Sequence, residues 1–115
     1  GRPKNFLMLS GDDFMTLPLI AVGGDGVISV IANATPRPFS DMVRAALRQD
    51  IATAQKHNFK LLELYKLLFI EGNPVGVKAA LELQGLCSRD VRLPLVPMTE
   101  QGVHLIMAEL EKVLS

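Results

Sequence analysis

The amino-acid sequence predicts an α/β fold in which two strands come first and only helices follow. Three observations carry this. Two short apolar runs, "NFLMLS" at residues 5–10 and "GVISVIAN" at residues 26–33, each adjoin a glycine, the pattern of strands buried on both faces as in a parallel sheet. Between them lies a helix-forming stretch that ends in Gly23-Gly24, which makes a strand–helix–strand unit with a right-handed crossover. Beyond it, apolar side chains recur three and four residues apart, the period of a helix face.

The elements follow in order. Asp12 or Asp13 can cap a helix after the first strand, and Gly23-Gly24 can end it. Pro18 then sits in the first turn, where a missing N–H costs little. The second strand leads into a loop, "ATPRPFSD", and Pro38 or Ser40 starts a helix whose apolar face is Phe39, Met42, Val43, Ala46 and Leu47. Asp50 caps a longer helix through "IATAQKHNFKLLELYKLLFI". Phe59, Leu62, Tyr65 and Phe69 line one side of it, and Leu61, Leu64 and Leu68 widen the stripe, so the helix is expected to be buried on most sides. Asn73 is expected to cap a further helix that has Pro74 at its first position and runs to Gly85. "SRDVRLPLVP" reads as an extended linker, and Thr99 as the cap of the last helix. No internal repeat or low-complexity segment is present.

Two parallel strands that are apolar on both faces do not form a stable sheet by themselves, and both edges would stay unpaired. Either the strands pair with another copy of the chain, or the chain is part of a larger α/β fold whose other strands lie upstream. The second expectation also accounts for the first residue being Gly1 and for a mean hydropathy of +0.28.

Composition narrows the function. The 115 residues carry 12 basic and 12 acidic side chains, a balance that gives no electrostatic reason to expect nucleic acid or an anionic membrane as partner. No apolar run approaches the ~20 residues that cross a bilayer, and the first five residues lead straight into the first strand without a leader-like segment. A cytoplasmic protein is expected. Cys87 is the single cysteine; an internal disulfide is excluded, and the residue reads as a small buried hydrophobe rather than a nucleophile. His57 and His104 have no carboxylate or cysteine at metal-ligand spacing, and "GGDG" lacks the phosphate-loop fingerprint and its lysine, so neither metal nor other cofactor is expected. Glu71, Glu109 and Glu111 read as solvated helix positions, Lys78 as a helix residue with a solvated head, and Tyr65 as a core or interface residue.

The strings "LMLSGDD", "GGDGVISVIANATP", "LFIEGNPVGVKAAL" and "VRLPLVPMTE" closely resemble the C-terminal part of the dihydrodipicolinate synthase family, within the class I aldolase superfamily that includes N-acetylneuraminate lyase. "GVISV" followed by "AN", with "NP" and "VK" further on, is similar to the synthase branch rather than the lyase branch. Gly76 departs from the proline usual at that place in the synthases. The resemblance implies a (β/α)8 barrel with a C-terminal helical extension. Residues 1–50 would be its last two βα units and 51–115 the helical region, together one incomplete domain. A barrel of this kind takes ~250 residues and places its site at the C-terminal ends of the strands.

The same resemblance implies the chemistry. A lysine amine forms an imine with the ketone of pyruvate. The positive nitrogen draws electrons, a proton leaves the methyl group, and the resulting enamine attacks the aldehyde of aspartate semialdehyde. That reaction serves lysine (diaminopimelate) biosynthesis. The family's lysine lies on the sixth strand, upstream of Gly1, and none of Lys4, Lys56, Lys60, Lys66, Lys78 and Lys112 follows a predicted strand. No catalytic residue is therefore expected here, and the segment is expected to be inactive alone. What carries over is the wall of the pyruvate pocket: Ile28 against the imine and backbone at Gly11. A short apolar side chain keeps water from an imine, and glycine lets substrate approach the main chain. Ser10 and Asn33, also at strand ends, are candidate donors to a carboxylate, with simple capping roles standing equally against that. A homo-oligomer, dimer or tetramer, is expected for the whole protein. Two alternatives are a sibling aldolase acting on N-acetylneuraminate or keto-sugar acids, and a non-catalytic module that self-associates through the leucine-rich helix at residues 59–70.

Overall fold

The computed structural model describes residues 1–115. Strand β1 (Leu9–Ser10) lies parallel to β2 (Gly26–Val27), with Leu9 opposite Gly26 and Ser10 opposite Val27. Helix α1 (Thr16–Ala21) connects them, as the sequence predicts. A 3-10 turn (Ile31–Asn33) follows β2, and then come α2 (Pro36–Leu47), α3 (Ile51–Leu67), α4 (Val75–Leu83) and α5 (Glu100–Leu114). No helix is long and apolar enough to cross a membrane.

The strands are shorter and barer than expected. Phe6, Leu7, Met8 and Leu9 are all exposed. The run is apolar on both faces, but only α1 and β2 are there to cover it. Grooves of about 580 Å³ and 320 Å³ flank the two edges of the sheet, one lined by β1 and α1 and the other by β2 and α2.

The stop signals, and two of the start signals, act as the sequence indicates. The N–H groups of Gly23 and Gly24 return to the carbonyls of Ile20 and Leu19 at 3.0 and 2.9 Å, a Schellman closure of α1 that needs φ of +105° at Gly23. Gly85 and Leu86 close α4 on Glu82 and Leu81 in the same way. Asp50 accepts from the Thr53 N–H at 3.2 Å to cap α3, and Thr99 accepts from the Gly102 N–H at 3.2 Å to cap α5. Pro36, rather than Pro38 or Ser40, opens α2, with Thr35 before it. Asn73 does not cap α4: Pro74 holds the cap position and no side chain bonds there. A methyl group at Gly76 would collide with the backbone of Leu68, because the start of α4 rests on the end of α3.

The core lies between helices. Met42, Ala45 and Ala46 of α2 meet α3, whose buried face is Ala54, Asn58, Leu61, Leu64, Tyr65 and Leu67, continued by Leu68 at its C-cap. Ile106 and Leu110 of α5 pack on α3 and α4. The broad stripe expected for α3 is corrected here: Phe59 and Phe69 lie outside, 68% and 46% exposed, while Leu61 and Leu64 lose all contact with solvent. An apolar residue on every side of a helix leaves the orientation open, and the three-leucine face wins because it fits α2 and α5 together.

Two further expectations are corrected. Cys87 is exposed, at the start of the linker. Glu71 is not a solvated helix position: its carboxylate accepts from the Thr99 N–H at 3.2 Å and the Thr99 hydroxyl at 3.0 Å, joining the end of α3 to the start of α5. Glu109 is also buried and accepts from Lys112 at 2.8 Å. Arg89 pins the linker by donating its N–H to Glu82 at 2.9 Å while its guanidinium reaches both Glu82 and Glu100.

Leu61→Ala should lower the unfolding free energy by about 3 kcal/mol, as for other fully buried leucines. Phe59→Ala should change it by less than about 0.5 kcal/mol. Denaturant titration of the two variants checks the orientation of α3, and equal losses would contradict it.

Candidate functional site

The loops that leave β1 and β2 run side by side at the C-terminal edge of the sheet. Register puts them there: the Ile28 N–H donates to the Ser10 carbonyl at 2.9 Å, one step beyond the last paired residues. Gly11 and Ile28, the two predicted pocket residues, therefore lie together at the strand ends. Gly11 is exposed, and a side chain there would meet nothing within 4 Å. Ile28, just beyond the end of β2, is 72% exposed.

Ser10 and Asn33 are occupied locally. The Ser10 hydroxyl donates to the Asp12 carbonyl at 2.6 Å and accepts from the Asp12 N–H at 3.1 Å, which makes a tight turn. The Asn33 amide donates to the Val30 carbonyl at 3.0 Å, beneath its own turn.

The twin aspartates separate in role. Asp12 accepts from the N–H groups of Phe14 at 2.8 Å and Met15 at 3.3 Å, and so organises the approach to α1. Neither caps α1, whose cap position is held by Met15 without a side-chain bond, and Asp13 leaves the helix altogether. Its side chain turns inward, 3% exposed, and its Oδ2 accepts from the N–H groups of Ile31 at 2.8 Å and Val30 at 3.2 Å. Its Oδ1 has no partner. Sequence reasoning missed this link because no local pattern marks a bond that spans 18 residues.

Behind the loops, Tyr65 stands edge-on to Phe14 at 6.4 Å and to Phe39 at 6.1 Å, and its hydroxyl donates to Asn58 at 3.1 Å. Burial pushes its phenol well above the ordinary 10.0, and the Asp13 carboxylate adds to the effect. A cavity of about 240 Å³ between Asp12, Asp13, Phe14, Tyr65, Lys66 and Phe69 opens beside it. The remaining candidates stay apart. Lys78 and His57 are half-buried on α4 and α3, and His104 is exposed on α5. No three His, Cys, Asp or Glu side chains gather to hold a metal ion. None of the six lysines follows β1 or β2.

A parallel strand–helix–strand unit, with glycine and an exposed apolar side chain at its strand ends, defines a piece of an α/β protein with its candidate residues at the carboxyl edge of the sheet. Residues 2–113 match the model of the dihydrodipicolinate synthetase family, and the chain belongs to that family. It is 50% identical over 113 residues to 4-hydroxy-tetrahydrodipicolinate synthase of Phocaeicola vulgatus, an alignment covering 96% of this chain and 38% of that protein. Among solved structures, dihydrodipicolinate synthase of Aquifex aeolicus superposes with a TM-score of 0.91 at 42% identity, covering 96% of this chain and 38% of that one. The Thermotoga maritima enzyme gives 0.92 at 38% identity, covering 95% and 37%. The chain thus spans well under half the length of the relatives it matches, and it aligns with their C-terminal part.

Tyr65 supplies a prediction. Because the folded phenol holds its proton above pH 10.0, the unfolded chain loses that proton first as pH rises. Stability should be intact below pH 10 and decline above it. Denaturation midpoints followed from pH 9 to 12 should fall less steeply for Tyr65→Phe than for the parent chain.

Proposed function

We propose that this chain is the C-terminal portion of a lysine Schiff-base lyase that condenses pyruvate with aspartate semialdehyde in lysine (diaminopimelate) biosynthesis. The observation that carries the proposal is the family match, which runs almost from end to end of the chain. On this reading β1 and β2 are the seventh and eighth strands of a (β/α)8 barrel. Residues 1–50 form its last two βα units and residues 51–115 its helical extension. The exposed apolar residues of β1 and the grooves along both sheet edges support it, since strands on either side would cover them. The whole protein is proposed to be cytoplasmic and a homo-oligomer.

The residues of this chain then act as wall. Ile28 lies against the pyruvate-derived imine and keeps water from it. Gly11 offers main chain to the substrate carboxylate and, without a side chain, leaves room for it. Ser10 and Asn33 hold the two turns, since both already bond to neighbouring backbone. The imine-forming lysine comes from the upstream part, so residues 1–115 alone form no adduct. The synthase reading is preferred to the sibling aldolases because the relatives at 48–53% identity are named 4-hydroxy-tetrahydrodipicolinate synthase. Self-association through the leucines of α3 is disfavoured, because Leu61, Leu64 and Leu68 are already buried within the chain.

The test uses the full-length protein. Borohydride added with pyruvate should leave one covalent pyruvyl adduct, seen by intact mass, on a lysine upstream of Gly1. Residues 1–115 alone should remain unmodified. No adduct on the full-length chain would refute the proposal.

A further inference from the structure

We propose that Asp13 is a positioning residue for the pyruvate pocket: its buried carboxylate ties the loop after β1 to the turn after β2 and so sets where Ile28 lies. This rests on the function proposed above, and it assigns a role to a residue that the sequence suggested only as a helix cap.

Ile28 is 72% exposed, so packing alone holds it weakly. Its place is set by backbone on either side. On one side its N–H bonds to the Ser10 carbonyl at 2.9 Å. On the other, two residues on, the Val30 and Ile31 N–H groups converge on Asp13 Oδ2 at 3.2 and 2.8 Å. The two anchors, Ser10 at the end of β1 and Asp13 in the loop after it, lie on either side of Gly11. Ile28 and Gly11 are thus held relative to each other by three bonds that reach across the same gap.

The chemistry of Asp13 goes beyond what a cap needs. A side chain 3% exposed with one oxygen unpartnered carries a desolvation cost. A neutral acceptor would satisfy Val30 and Ile31 at lower cost. The carboxylate stiffens the turn through charge-assisted bonds. Ser29 adds a local bond, its hydroxyl accepting from the Ala32 N–H at 3.0 Å, but it does not cross to the first loop. Asp13 is therefore the side chain that couples the two strand ends.

The experiment uses the full-length protein and compares the parent with Asp13→Ala and Asp13→Asn, well below their melting temperatures. Asp13→Ala should raise KM for pyruvate and slow borohydride trapping by about tenfold per folded molecule, with a smaller change in kcat. Asp13→Asn keeps an acceptor oxygen for both N–H groups but loses the charge, and should recover part of the loss. If the alanine variant does not fold, Asp13→Glu takes its place: it keeps the charge but moves the carboxylate by one methylene, and KM should rise in the same sense. A variant that melts earlier yet keeps the parental KM and trapping rate would show a merely structural role and overturn the proposal. A parent protein that is not trapped by pyruvate would overturn the functional reading itself, and this proposal with it.

Discussion

Leu61 and Leu64 of α3, Leu68 at its C-cap, and Met42, Ala45 and Ala46 of α2 are withdrawn from solvent almost entirely, and the rest of the packing builds out from the α2–α3 contact, the most extensive between any two elements. Burial of each large side chain is worth ~1.5–3 kcal/mol. From this centre the packing extends two ways. Ile106 and Leu110 bring α5 onto α3 and α4. Tyr65, held edge-on between Phe14 and Phe39, connects α3 to the loop that leaves β1. The strands contribute little burial of their own and depend on helices packed behind them.

That dependence shapes the candidate site. Its side chains are few, and the geometry resides in backbone: a carbonyl at Ser10, N–H groups at Val30 and Ile31, and open main chain at Gly11. Such a site tolerates little movement of one loop against the other. The helices supply rigidity from one side, and the bonds between the loops supply it from above.

Part of the capping chemistry is legible because it is local, although Asp13 and Asn73, equally local signals, do not cap. Asp50 and Thr99 each bond three residues ahead, and Gly23 and Gly85 stop helices where a positive φ is required. Two of the four short strings that carry the resemblance fall on the strand ends, where Gly11 and Ile28 lie. What stayed hidden was nonlocal. Asp13 reaches across 18 residues and Glu71 across 28, and neither has a pattern that periodicity could detect. The face of α3 was misjudged because leucine and phenylalanine are equally apolar, and only the shape of α2 and α5 chooses between them. The strands were read as buried on both faces, a property of a complete sheet that two strands of two residues cannot show.

Arg89 has a consequence for chain length. By bonding to Glu82 at the end of α4 and Glu100 at the start of α5, it fastens both feet of the linker at one point. Residues 92–97 between those feet are exposed throughout. The segment is thus a loop closed at its base, and the helices do not register what happens at its tip. Lengthening it costs only closure entropy, ~0.6 kcal/mol for each doubling. Insertions and deletions can therefore accumulate at 92–97 while α4 and α5 keep their distance.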